Sequence, residues 1–263
     1  DPNLALASVW GMSRVLAHAE MPSIWAGVID LDRDCGDYEH EAAVLLNHVT
    51  GEQTRMVDSR LEDQIALRAG TMYVPRLAQL ATSRASFPVR VDANATYLIT
   101  GGLGALGRVI AADLGRRGAG RIVLMGRSEL PERSSWRDLP SDHQRAGVVA
   151  DLVALEDAGV RVEVATVDVS DARALNTWLR SEQERGVPPV RGVIHAAGLV
   201  RDALVPDMSL EDFDAVLEPK VAGGWNLHTV FAKVDLDFFV LFSSTGAVVA
   251  SPGQINYAAG NAF

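Results

Sequence analysis

The chain has 263 residues, 48 % hydrophobic and 22 % charged, with a formal net charge of −10. This is the balance of an ordinary globular protein, large enough for one big domain or two small ones. The acidic balance argues against nucleic acid, and no apolar run approaches the roughly 18 residues that cross a bilayer. The single cysteine, Cys35, has no internal partner, and the six histidines are scattered without metal-ligand spacing, so neither a disulfide nor a metal is expected. No signal peptide is visible, which fits a cytoplasmic protein, and a start at Asp1 without Met suggests a piece of a longer polypeptide.

In chain order, apolar spacing predicts a helix over 5–19, a strand over 24–31 and a helix over 39–49. Short strands are expected at 54–57 and 64–68, with an extended stretch at 72–77. Residues 81–94 are small and polar and read as a connector between a first part, 1–80, and a second, 95–263. From Thr96 onward strands and helices alternate. Strands are expected at 97–100, 121–125, 161–166, 192–195 and 238–243. Helices are expected at 106–117, 141–158, 172–184 and 209–234. This order predicts an α/β fold, a Rossmann-like doubly wound parallel sheet with helices on both faces. The strands are nearly all apolar, as strands buried on both faces are.

The turn Thr100-Gly101-Gly102-Leu103-Gly104-Ala105-Leu106-Gly107 sits between the first of these strands and its helix. Glycines at 101, 104 and 107 allow a tight turn and close approach of a pyrophosphate, and the helix N-terminus supplies free N–H donors. About 20 residues on, where NAD enzymes place an acid on the ribose, stands Gly126-Arg127-Ser128. A guanidinium there, with Ser128, suits a 2′-phosphate and points to NADPH; the alternative is a solvated loop charge. After the third strand, Asp168, beside Val169, can take an adenine amino group or cap the next helix; the cap is expected from Asp171 or Ser170, which leaves Asp168 to bind. His195-Ala196-Ala197-Gly198 ends the fourth strand, and its small residues let backbone approach the nicotinamide ribose. His195 reads as a packing or hydrogen-bonding residue.

The last segment carries Ser244, then Tyr257 thirteen residues later, then Asn261. Reduction of a carbonyl by hydride leaves an alkoxide that needs a proton. A tyrosine hydroxyl can give it, although an unperturbed phenol has a pKa near 10. A nearby ammonium favours the phenolate left behind, and a serine hydroxyl can hold the substrate oxygen. Tyr257 and Asn261 are four apart and share a helix face. The cation must come from elsewhere, and Lys220 in Glu218-Pro219-Lys220-Val221 is the obvious supplier.

These residues resemble the ketoreductase domains of modular polyketide synthases and the related animal fatty acid synthase, within the short-chain dehydrogenase superfamily. In that family lysine and asparagine have exchanged places relative to other short-chain dehydrogenases, and Lys220, Ser244, Tyr257 and Asn261 match its tetrad. Residues 8–33 and Glu62 to Arg68 resemble the family's structural subdomain, a degenerate Rossmann half. The resemblance implies NADPH-dependent reduction of a β-ketoacyl group held on the phosphopantetheine arm of an acyl carrier protein, beside other domains of the same synthase. It implies that Tyr257 donates the proton, Ser244 orients the carbonyl and Lys220 promotes proton release, with Lys220 and Tyr257 also touching the cofactor. The family's B-type marker, a Leu-Asp-Asp run, aligns with Val200-Arg201-Asp202, so its final acid is present. The A-type tryptophan position is Val249, and the pattern leans to B-type, although Gln254 resembles iterative, fatty-acid-synthase-like enzymes. The short connector implies no inserted enoylreductase. The resemblance also implies that the chain starts partway through the structural half and stops at Phe263 before the last strand and lid. Alternatives are a non-catalytic scaffold within a synthase, or a stand-alone dehydrogenase or epimerase.

Overall fold

The computed structural model describes residues 4–50, 62–79 and 90–263. Two sheets are present among them. The first has three strands, β1 (Val28–Asp30), β2 (Gln64–Arg68) and β3 (Thr71–Tyr73), with β1 parallel and β3 antiparallel to β2. It is preceded by helix α1 (Leu4–Val15), and α2 (Tyr38–Thr50) lies between β1 and β2. The second sheet holds β4 (Thr96–Thr100), β5 (Arg121–Gly126), β6 (Arg161–Thr166), β7 (Val190–His195) and β8 (Phe238–Leu241). Its strands run all parallel in the order β6-β5-β4-β7-β8. The helices between them are α3 (Ala105–Arg116), α4 (Ala146–Asp157), α5 (Ala172–Glu184) and α6 (Leu210–Phe231), and α7 (Ile255–Ala262) follows β8. This is the doubly wound α/β arrangement expected from the alternation.

Side-chain alternation along the strands divides the core in two. Tyr97, Ile99, Ile122 and Leu124 point to one face and pack on Ala111 and Leu114 of α3 and on Leu152 of α4. Leu98, Val123, Met125 and Val193 point to the other and pack on Leu175 of α5 and on Leu227 and Phe231 of α6. A third cluster joins α1 to α7: Val15, Ile255 and Ala258 pack with Met12, Leu16 and Phe213 around them.

Three expected elements differ. The helix expected over 5–19 ends at Val15 and continues as one π turn, closed by a bond from the N–H of Met21 to the carbonyl of Leu16 (2.9 Å). The strand expected over 24–31 is confined to Val28–Asp30, because Ile24 is 76 % exposed and closes a turn onto the Met21 carbonyl. The helix expected from 141 begins at Ala146. Residues 141–144 are all exposed and have no apolar face to bury, and the His143 ring accepts the N–H of Arg145 (3.0 Å) in a local turn. The strand expected at 54–57 and most of the connector lie outside the described residues.

Candidate active site

A cleft of about 310 Å³ opens at the carboxyl ends of the parallel strands, where the strand order reverses between β4 and β7. Crevices at this switch point bind ligands in open α/β sheets. A larger cleft of about 580 Å³ lies between α3 and α4. Its charged residues are paired, Arg108 with Asp151 and Arg116 with Asp113, around an apolar lining, so it offers no convergent polar groups.

The glycine turn forms the near wall. Gly101 has φ +67°, and a Cβ there would stand 2.7 Å from the backbone of Ala196, so only glycine lets the turn meet the next strand. Gly104 starts α3 with no side chain to cap it, which leaves the first N–H groups of the helix without an internal partner. Gly101, Leu103 and Gly104 line the cleft; Gly102, Leu106 and Gly107 do not. Gly102 and Gly107 instead allow the turn to fold on itself, since a Cβ on Gly102 would meet Leu124 and one on Gly107 would meet the Gly101 carbonyl.

The far wall carries Gly126, Arg127 and Ser128 after β5, and Asp168 and Val169 after β6. Arg127 is exposed and stands 3.9 Å from the Asp168 carboxylate. Asp168 also accepts the N–H of Ser170 (2.9 Å). The cap of α5 is Asp171, which accepts from the N–H groups of Arg173 (2.8 Å) and Ala174 (3.0 Å), so Asp168 is left facing the cleft. Arg145, at the start of α4, lines the same wall and makes no ion pair among the described residues. Sequence reading missed it because it placed Arg145 inside a helix rather than at its mouth.

Ala196, Ala197 and Gly198 form the floor. His195 lies beneath it, 1 % exposed. Its Nε2 is 2.8 Å from the Pro219 carbonyl, which can only accept, so Nε2 carries the proton and Nδ1 accepts from the Thr100 hydroxyl (2.6 Å). Burial, with the nearby Lys220 charge, pushes the imidazole down to about 4.

Helix α6 carries Pro219 and Lys220 to this floor. Its N-cap is Ser209, whose hydroxyl accepts the N–H of Asp212 (3.0 Å). Lys220 Nζ donates to the Phe242 carbonyl (2.7 Å) at the end of β8, and its Cε lies 3.0 Å from where a Cβ on Gly198 would stand. Burial lowers the Lys220 pKa from the ordinary lysine value. The Lys220 stem packs on α7: a Cβ on Gly260 would be 3.3 Å from Lys220 Cβ. The same short helix holds Tyr257 and Asn261. Ser244 Oγ and the Tyr257 ring flank Gly246, at 3.4 and 3.5 Å from the position of a Cβ there. The Asn261 amide donates to the Tyr257 carbonyl (2.8 Å), and its buried Oδ1 has no partner. Ser243 Oγ donates to the Asn261 carbonyl (2.6 Å). The structure thus brings Lys220, Ser244, Tyr257 and Asn261 to one corner, beside Gly198 at the cleft floor. Asn256, fully buried, was not singled out from sequence: its Oδ1 accepts the Tyr257 N–H (2.7 Å) while its Nδ2 donates to the Arg201 carbonyl (2.9 Å).

No helix of the described residues is long and apolar enough to cross a membrane. Residues 95–263 match the family described as the KR domain. The chain is 39 % identical over 260 residues to 5-methyl-1-naphthoate synthase of Streptomyces sahachiroi, covering 99 % of this chain and 14 % of that protein. It is 37 % identical over 261 residues to 6-methylsalicylic acid synthase of Aspergillus niger, again covering 99 % of this chain and 14 % of that protein. Among solved structures, A-type ketoreductases from a modular polyketide synthase superpose with a TM-score of 0.79 at 33 % identity, covering 99 % of this chain and 50 % of that one. The ketoreductase from the first module of phoslactomycin biosynthesis in Streptomyces sp. HK803 gives 0.79 at 31 %, covering 100 % and 55 %. The chain spans about one seventh of the curated relatives' length. With the parallel sheet, the glycine turn and this match over the whole of its second part, the chain belongs to the KR domain family, the ketoreductases of polyketide synthases.

Proposed function

We propose that this chain reduces a β-ketoacyl thioester on an acyl carrier protein to the β-hydroxyacyl thioester, with NADPH, as part of a cytoplasmic polyketide synthase. The observation that carries the reading is that Lys220 packs both on Gly198 of the cleft floor and on α7, the helix that carries Tyr257, while Ser244 and the Tyr257 ring flank Gly246 beside it. Residues 1–80 serve as a structural part and 95–263 as the catalytic part, joined by the 81–94 connector.

The cleft suits a dinucleotide. The uncapped start of α3 and the Gly101–Gly104 turn favour a pyrophosphate, Arg127, Ser128 and Arg145 favour a ribose 2′-phosphate, and the small Ala196–Gly198 run leaves room for a nicotinamide ribose. Bound reduced nicotinamide supplies the hydride. Ser244 Oγ holds the substrate carbonyl oxygen beside Tyr257. Tyr257 Oη gives its proton to the alkoxide oxygen, and the Lys220 ammonium stabilises the phenolate left behind. Asn261 fixes the turn of α7 that presents the tyrosine, and its unpartnered Oδ1 can accept from a water or an ammonium that restores the proton. Asp202, which aligns with the final acid of the B-type marker, lies on the loop beyond Gly198 and accepts from Gln254, three residues before Tyr257, as close as 3.2 Å.

The test is NADPH oxidation by the intact synthase polypeptide presented with a β-ketoacyl thioester. One β-hydroxyacyl thioester formed per NADPH consumed supports the reading. NADPH binding without turnover favours the scaffold alternative.

A further inference from the structure

The loop after Gly198 and the loop before Tyr257 are tied together by their own bonds. The N–H of Ala203 donates to the Gly253 carbonyl (3.0 Å), Gln254 Nε2 donates to the Asp202 carboxylate (3.2 and 3.4 Å), and Asn256 Nδ2 donates to the Arg201 carbonyl (2.9 Å). One side chain from the first part of the chain joins both loops. The π turn at the end of α1 brings round Glu20, whose two carboxylate oxygens accept the N–H of Val205 (2.7 Å) and the N–H of Gly253 (2.9 Å). These donors are nearly fifty residues apart in sequence, and Gly253 is buried with φ +79°. Behind the carboxylate, α1 lies directly on the tyrosine helix: a Cβ on Gly11 would stand 2.3 Å from the Ala258 carbonyl oxygen.

We propose that Glu20 is a positioning residue for the reduction. Its carboxylate holds the 199–205 loop against the 249–254 loop, and this joined pair, which runs from Gly198 on one side to Tyr257 on the other, borders the corner where the acyl group meets Ser244 and Tyr257. A carboxylate suits the task because two N–H groups converge on it from different loops, and each of its oxygens accepts one. An amide offers a single accepting oxygen and would leave one of the two N–H groups unmatched, a costly state for a group away from water. The role rests on the reductase reading above. It accounts for how a part of the chain that contributes none of the reacting groups acts on the reaction: it fixes the approach to the site through loops that meet the cofactor cleft at its edge alone, at Leu199.

The test compares Glu20→Gln and Glu20→Ala with the wild type in the intact polypeptide. Three quantities are measured: KM and kcat for a β-ketoacyl thioester, NADPH affinity by fluorescence, and amide hydrogen exchange. Glu20→Ala is expected to raise KM about tenfold, the effect of losing a charge-assisted bond. NADPH affinity should stay within about twofold, and exchange should speed up at the Val205 and Gly253 amides together. Glu20→Gln should fall between, because it keeps one acceptor, and it serves as the informative variant where Glu20→Ala does not fold. Exchange that rises evenly through the fold, with kcat reduced and KM unchanged, shows a general stability role and overturns the assignment. An active wild type beside variants with unchanged KM and unchanged exchange also overturns it. A wild type that turns over no thioester overturns the reductase reading itself, and the role in reduction with it.

Discussion

His195 shows how one buried side chain orders the cleft floor. Its neutral form satisfies both neighbours, donating through Nε2 to the Pro219 carbonyl and accepting at Nδ1 from Thr100. Burial, with the Lys220 charge beside it, keeps the imidazole neutral down to about 4, although the Pro219 bond acts the other way. An unfolded histidine takes its proton near 6.5, so below that pH the unfolded state binds a proton that the folded state refuses. The stability that neutral His195 contributes is complete above about 6.5 and is lost progressively as pH falls toward 4. The full loss is about 3 kcal/mol by the linkage relation. His195→Gln should be less stable at pH 7 and should flatten this part of the pH dependence of the melting temperature; an unchanged slope between pH 4 and 6.5 would contradict it. Arg127 belongs to the same scale. If it grips a 2′-phosphate, Arg127→Ala raises the Kd for NADPH by roughly 10- to 100-fold, as removal of a charge-assisted pair does, and leaves that for NADH almost unchanged. Equal loss for both cofactors would return Arg127 to the status of a solvated loop charge.

At the scale of elements, the opposite end of the sheet is held by a buried ion cluster. Arg121, the first residue of β5, is 2 % exposed and bonds Glu163 of β6, Glu182 of α5 and the Thr96 hydroxyl of β4. Burial pushes the Glu163 carboxyl up, but bonds from Arg121 and Arg185 outweigh it and hold the group at about 2. Replacing Arg121 with leucine strands buried Glu182 without its main partner, and stability should fall by about 3–5 kcal/mol in denaturant titration. A change below about 1 kcal/mol would show that the cluster contributes little. None of this is readable from sequence, where Arg121 looks like the polar edge of a strand. The glycine turn was readable, because its spacing and its place between strand and helix are local. The α/β order was readable for the same reason, through apolar runs of strand and helix length. The start of α4 at Ala146 was not, since Ser141 and Asp142 imitate a helix start and only the absence of a buried face beyond them rules it out. The neighbourhood of Lys220 and Tyr257 follows from the need for a cation and from family resemblance, not from spacing: thirty-seven positions separate them, and the close packing of Lys220 on Gly260 is a property of the folded chain.

At the scale of the molecule, the two sheets meet through α1 and α7. The Val15–Ile255–Ala258 cluster and the Glu20 carboxylate attach the first part of the chain to the helix that carries Tyr257. The cofactor cleft rests on the parallel sheet alone. This division predicts that changes at the α1–α7 contact act on substrate turnover more than on cofactor affinity. On the proposed mechanism Tyr257 gives the proton at the corner it shares with Ser244 and Lys220. The most direct measurement is NADPH oxidation with a β-ketoacyl thioester by Tyr257→Phe, alongside NADPH binding by the same variant. A fall in kcat of about 10²- to 10⁴-fold is expected, the range for loss of a general acid, with NADPH affinity within a few-fold of wild type. Turnover by Tyr257→Phe at the wild-type rate would contradict it.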